Sequence, residues 1–212
     1  MTENHSDTHI QGPAGDDRLA RAEQAVAAQP DSANAHYNLG LALSKSGDQE
    51  RSKEEFRKAL KLKPGLLEAR VNLAAILLRE GDYDGCINES LRALEFRPDL
   101  DEACVNIGIA YVHKGMTEPA LESFHKALAI NPRSLAAHLN LGNIYLALGD
   151  IDRSIEHNSK AIEMDPRFAM AHNNLAVAFH HKGDVGKARE HMNQALNLGY
   201  AVHPDFIKLL NQ

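Results

Sequence analysis

The chain has 212 residues, 43% hydrophobic and 25% charged, which supports a buried core in one domain or at most two small ones. Its formal net charge of −6 disfavours a broad basic face for nucleic acid, and no apolar run reaches the roughly 18–20 residues needed to cross a bilayer. Aromatic residues are only 5% and tryptophan is absent, so a sheet-rich sandwich or barrel is disfavoured too.

In chain order, residues 1–16 read as a polar, disordered tail carrying His5 and His9. With neither a basic start nor an apolar stretch before Asp17, no secretory signal is expected. Residues 17–32 read as a partial unit whose single helix stops at Pro30. Five full units follow, over 33–66, 67–100, 101–134, 135–168 and 169–202, and residues 203–212 form a cap in which Phe206, Leu209 and Leu210 cover the last pair of helices. The period comes from coincident ladders at a step of 34: Pro30, Pro64, Pro98, Pro132 and Pro166; Gly47, Gly81, Gly115, Gly149 and Gly183; and alanines from Ala35 to Ala171 and from Ala59 to Ala195. Each unit predicts two helices. The first, as in 33–46, stops at the glycine, which tolerates the left-handed turn past a helix end. Asp48, Asp82, Asp150 and Asp184 follow that glycine and can cap the second helix, which ends at the next proline. Small residues (Gly40, Ala74, Gly108, Gly142, Ala176) mark where two helices approach closely. One hairpin cannot bury its apolar side alone, so neighbours must stack.

The pattern Asn38-Leu39-Gly40, Gly47-Asp48, Phe56, Ala59-Leu60 and Pro64 resembles the tetratricopeptide repeat. The resemblance implies an all-α solenoid, a right-handed superhelix of helix-turn-helix repeats whose first helices line a concave groove, and it implies a protein-binding scaffold.

A stripe on the first helices is the candidate groove. Its clearest feature is a ladder of amides at Asn38, Asn72, Asn106, Asn140 and Asn174. An Asn side chain carries a donor and an acceptor, so such rungs can pair with the main chain of a bound segment. The ladder resembles that of the repeat region of O-linked N-acetylglucosamine transferases, although Asn before Leu-Gly is also ordinary tetratricopeptide consensus. Tyr37, Val71, Val105, Ile109 and Leu139 lie beside the rungs and are candidates for side-chain contacts; the alternative for each is core packing. No residue just before a rung is basic, so the expected ligand is an extended or helical peptide segment of a protein partner, aliphatic rather than acidic.

Enzyme signatures are absent, including a phosphate loop, a nucleophile elbow and a zinc-protease motif, and no catalysis is expected. Among the twelve histidines, His36, His138 and His172 share one repeat position, where packing explains them better than ligation. Cys86 and Cys104 read as buried thiols, too few for a disulfide framework and suited to a reducing cytoplasm. No cofactor or metal is therefore expected, and the localisation is read as cytoplasmic. Two further readings stay open: homo-oligomeric self-assembly by end-to-end stacking of the partial repeats, and a histidine-based metal or haem carrier.

Overall fold

The computed structural model describes residues 14–212, so residues 1–13 of the expected tail, with His5 and His9, lie outside the described residues. Every described element is a helix: α1 (Ala14–Ala28), α2 (Ala33–Ser46), α3 (Gln49–Leu62), α4 (Leu67–Glu80), α5 (Tyr83–Phe96), α6 (Asp101–His113), α7 (Thr117–Ile130), α8 (Leu135–Ala147), α9 (Ile151–Met164), α10 (Ala169–His181), α11 (Val185–Asn197) and α12 (Pro204–Leu210). The first helix begins at Ala14, inside the segment read as tail. The chain falls into two compact units, residues up to Asp82 and Tyr83–Gln212. In unit 1, α1 packs on α2, α2 on α3 and α3 on α4; in unit 2 each helix from α5 to α12 packs on the next, and α8 also touches α6 and α10.

The turn inside each hairpin is built by two residues. Gly47 sits at φ 91°, and its N–H reaches the Ser44 carbonyl at 3.3 Å while the Asp48 N–H reaches Leu43 at 3.0 Å, so two end carbonyls of α2 are satisfied. The Asp48 carboxylate then accepts from the Arg51 N–H at 3.2 Å and starts α3. Asp150 and Asp184 cap α9 and α11 in the same way, accepting from Arg153 and Lys187 at 3.1 and 3.0 Å. In the third repeat the residue is Met116, and α7 begins with no side-chain cap.

Within a hairpin the two helices close on matched sizes. A Cβ added to Gly40 would lie 2.7 Å from the buried Phe56 ring, one on Gly108 would lie 2.7 Å from Phe124, and one on Gly142 would lie 2.3 Å from the Asn158 amide. The Ser52 and Ser154 hydroxyls donate to the Gly40 and Gly142 carbonyls at 2.7 and 2.8 Å, which fixes the same approach through a polar contact. In the last repeat the glycine position is Ala176, which shares a cluster with the slimmer Met192. Fully burying a side chain such as Phe124 contributes about 1.5–3 kcal/mol, so these crossings carry much of each hairpin's stability. In unit 2, Phe124 and Leu141 centre one cluster and Met192 and Leu210 another. At the C-terminal cap Leu210 is buried and Phe206 half-buried, whereas Leu209 stays exposed against expectation. Arg189 donates to the Leu210 carbonyl at 2.8 Å and holds the end of α12.

Gly40→Ala is expected to destabilise the protein by about 1–3 kcal/mol through overpacking against Phe56, although the same change in an open helix stabilises by about 1 kcal/mol; thermal or urea denaturation gives the sign. Met116→Asp is expected to stabilise by about 0.5–2 kcal/mol by supplying the missing cap, seen as a higher melting temperature.

Candidate peptide-binding faces

In unit 1 the rungs are Asn38 on α2 and Asn72 on α4. Asn38 is exposed and its amide has no hydrogen-bond partner among the described residues. It lines a cavity of about 360 Å³ with Leu41, Ala22, Lys45, Arg18 and Arg21. The α1 cations make this pocket basic. Arg21 is tied to Asp17 at 2.5 Å, whereas Arg18 and Lys45 have no carboxylate partner among the described residues. Asn72 is half-buried and donates to the Glu68 carbonyl one turn back at 2.6 Å, leaving its amide oxygen available. Tyr37 is half-buried with its ring 5.9 Å from Phe56. Burial, helped by the Glu68 carboxylate, raises its phenol above the usual value against a hydrogen bond with Asn72. Val71 is half-buried beside Asn72.

In unit 2 the three rungs differ. Asn106 on α6 is half-buried, and its side chain makes no hydrogen bond among the described residues. Asn140 on α8 donates to the Ala136 carbonyl at 2.8 Å. Asn174 on α10 is buried, and its amide nitrogen donates to Asn143 Oδ1 at 2.6 Å and Asn158 Oδ1 at 3.1 Å. This last rung therefore ties α10 to α8 and α9 rather than facing a ligand. Val105 departs from the groove expectation as well: it is 8% exposed and belongs to the cluster around Phe124, with Ile109 packed against it. Val105 shares its repeat column with the half-buried Tyr37, Val71 and Leu139, and its deeper burial comes from the neighbours that pack on it in the Phe124 cluster. Leu139 remains half-buried.

An apolar concavity lies in unit 2, of which sequence reading places only Val112 and Asn143 on the groove stripe. A cavity of about 410 Å³ lies between α6, the start of α7 and the end of α8, lined by Val112, Thr117, Asn143, Ile144, Ala147 and Leu148. Val112 and Leu148 are 41% and 58% exposed, so this apolar lip faces solvent. A signal was present in the repeat columns: Ala147-Leu148 stand where the other units have Lys45-Ser46, Arg79-Glu80, His113-Lys114 and His181-Lys182. The basic pocket beside Asn38 was missed for a different reason, because its arginines come from another helix and not from the residue before the rung.

Other reactive groups are engaged elsewhere. Cys86 and Cys104 are buried thiols, and burial pushes the Cys104 thiol up, which disfavours the nucleophilic thiolate. Among the described residues no three His, Cys, Asp or Glu side chains gather as a metal would require, and no helix is long and apolar enough to cross a membrane. Chemically, the faces offer free amides, a basic pocket and an apolar slot, which suit binding.

The sequence matches the models described as TPR repeat over residues 108–149 and 142–183, and as tetratricopeptide repeat over 33–65 and 67–86, together more than half of the chain. No curated protein matches it. Among similar solved structures, pilF of Pseudomonas aeruginosa gives a TM-score of 0.82 at 17% identity, covering 96% of this chain and 92% of that one. YrrB, described as a TPR protein with an unusual peptide-binding site, gives 0.68 at 20% identity, covering 92% and 100%. MamA gives 0.67 at 24% identity, covering 76% and 94%. At these identities the likeness is one of fold, and with the repeat matches and the all-helical hairpins it means that this chain belongs to the tetratricopeptide repeat family.

Proposed function

We propose that the protein is a non-catalytic scaffold that binds a peptide segment of a protein partner. The observation that carries the reading is the solvent-facing apolar cavity of Val112, Ile144, Ala147 and Leu148; the helix that supplies Val112, α6, also carries Asn106, an amide with no partner of its own among the described residues. An apolar slot takes an aliphatic side chain, and an unpaired amide takes main-chain N–H and C=O groups. In this reading Asn38, Asn72, Asn106 and Asn140 contact the partner's main chain, Val71 and Leu139 add side-chain contact, and Val105, Ile109 and Asn174 support the faces from behind. In unit 1 the basic pocket at Asn38 suits a ligand group that carries a carboxylate. YrrB, with its peptide-binding site, supports a peptide as the ligand type. End-to-end self-assembly is the weaker reading, because α12 packs on α11 at the C-terminal end, where a second copy would have to stack.

Affinity capture from the native cell extract, followed by mass spectrometry, identifies the partner. Asn106→Ala combined with Leu148→Glu is expected to abolish that capture and to shift the melting temperature by less than about 2 °C, because Leu148 is exposed and the Asn106 side chain makes no hydrogen bond among the described residues. Capture at wild-type strength in this variant contradicts the reading. Asn174→Ala is expected to behave oppositely: Asn143 and Asn158 lose a shared donor, so stability falls by about 1–2 kcal/mol while partner affinity at temperatures well below melting stays within about twofold.

A further inference from the structure

One pair of repeat positions, 19 residues apart, joins the two helices of the α2–α3, α8–α9 and α10–α11 hairpins. In unit 1, His36 Nδ1 meets Glu55 Oε2 at 2.5 Å, and Nε2 lies 2.8 Å from the Pro30 carbonyl. In unit 2 the same positions hold histidine twice over. His138 Nδ1 meets His157 Nδ1 at 2.9 Å, and His138 Nε2 lies 3.1 Å from the Pro132 carbonyl. His172 Nδ1 meets His191 Nδ1 at 3.1 Å, and His172 Nε2 lies 3.1 Å from the Pro166 carbonyl.

The proline carbonyls fix the protons. A carbonyl oxygen only accepts, so Nε2 of His138 and of His172 donates, and in the neutral ring Nδ1 carries the lone pair. His157 and His191 must therefore donate from Nδ1. A single proton added to a pair leaves one N–H between the two Nδ1 atoms, and the bond persists. Two protons place N–H against N–H at 2.9 or 3.1 Å, and the bond is lost between two like charges inside the hairpin.

The surroundings do not offset that charge. His157 stacks on Tyr145 of α8 at 5.5 Å, His125 of α7 lies 6.4 Å away and bonds the Tyr145 hydroxyl, and Arg153 of α9 sits 4.2 Å over the Tyr145 ring. Glu156 of α9 is paired with Lys160 at 2.6 Å, and Glu163 of the same helix acts on His138 only through space. His191 stacks on Phe179 of α10 at 5.5 Å, where Lys187 of α11 lies 5.1 Å from the ring and Glu190 of α11 is the nearby carboxylate. Burial lowers His138; burial and then His172 lower His191; burial and then His138 bring His157 to about 4.

We propose that the His138–His157 and His172–His191 pairs form an acid-sensitive latch in unit 2, which loosens the α8–α9 and α10–α11 hairpins on acidification while the His36–Glu55 hairpin of unit 1 stays closed. With His138, His157 and His191 held below the ordinary histidine value of about 6.5, the opened hairpins bind more protons, so the latch is intact above about pH 6.5 and weakens as pH falls, toward about 4 for His157. Unit 1 responds differently. Burial raises Glu55, but hydrogen bonds from His36 and Lys58 outweigh it and hold the carboxyl below its usual value, so Glu55 still accepts from a protonated His36. The latch acts on a binding face, because α8 carries Asn140 and the cavity wall of Ile144 and Ala147, but it stands independently of any partner.

Hydrogen exchange by mass spectrometry on the full chain at pH 7.5 and 5.0, corrected for intrinsic exchange, tests it. Opening of α8–α9 is expected to rise on the order of 30-fold at pH 5.0 from His157 alone and opening of α10–α11 to rise in the same direction, while α2–α3 changes by less than about threefold. His157→Glu with His191→Glu recreates the pairing of unit 1 and is expected to remove the acid response. Should that variant not fold, Glu55→His is expected to transfer the acid response to α2–α3. An equal rise in both units, an unchanged response in the double glutamate variant, or no transfer to α2–α3 overturns the latch.

Discussion

The close crossing of the two helices in each hairpin is the constraint on which everything else depends. A missing side chain at Gly40, Gly108 or Gly142 admits Phe56, Phe124 or Asn158 from the second helix, and a serine hydroxyl on the glycine carbonyl holds the approach at Ser52 and Ser154. With that crossing set, the first helix has one buried side and cannot rotate. The residues on its other side then project from a fixed frame, as a binding face requires. The Gly–Asp turn supports the same geometry by closing one helix and starting the next with two adjacent residues.

The faces built on that frame are chemically uneven. Asn38 and Asn106 are open, Asn72 and Asn140 lean on their own helix, and Asn174 is structural. The regularity of the amides in the sequence thus conceals three different states. The same holds for the histidine column, where the partner of the first-helix histidine is a carboxylate at Glu55 but a second imidazole at His157 and His191. Repeats supply the scaffold, and single-residue departures from the repeat supply what is particular to each position.

Much of the fold was legible because backbone chemistry is periodic. Glycine after the first helix, aspartate at the cap and proline after the second helix each have a local physical reason, and the expected boundary 33–46 coincides with α2. The site was less legible, since facing depends on a few tens of degrees of rotation and on partners far along the chain. Val105 and Ile109 share the stripe's spacing but turn toward Phe124. Asn174 cannot be told from Asn106 by its neighbours in sequence, because Asn143 and Asn158 decide its role. Arg18 reaches the Asn38 pocket from α1, a pairing that only packing creates.

Open amides that hold a partner's main chain are the core of the proposed binding mode. The most direct measurement is the NMR response of the side-chain amide groups when a peptide from the captured partner is titrated in. Large shifts at Asn38 or Asn106, with Asn174 nearly unmoved, are the predicted result; shifts confined to the second helices, with the Asn38 and Asn106 amides silent at saturation, would contradict it.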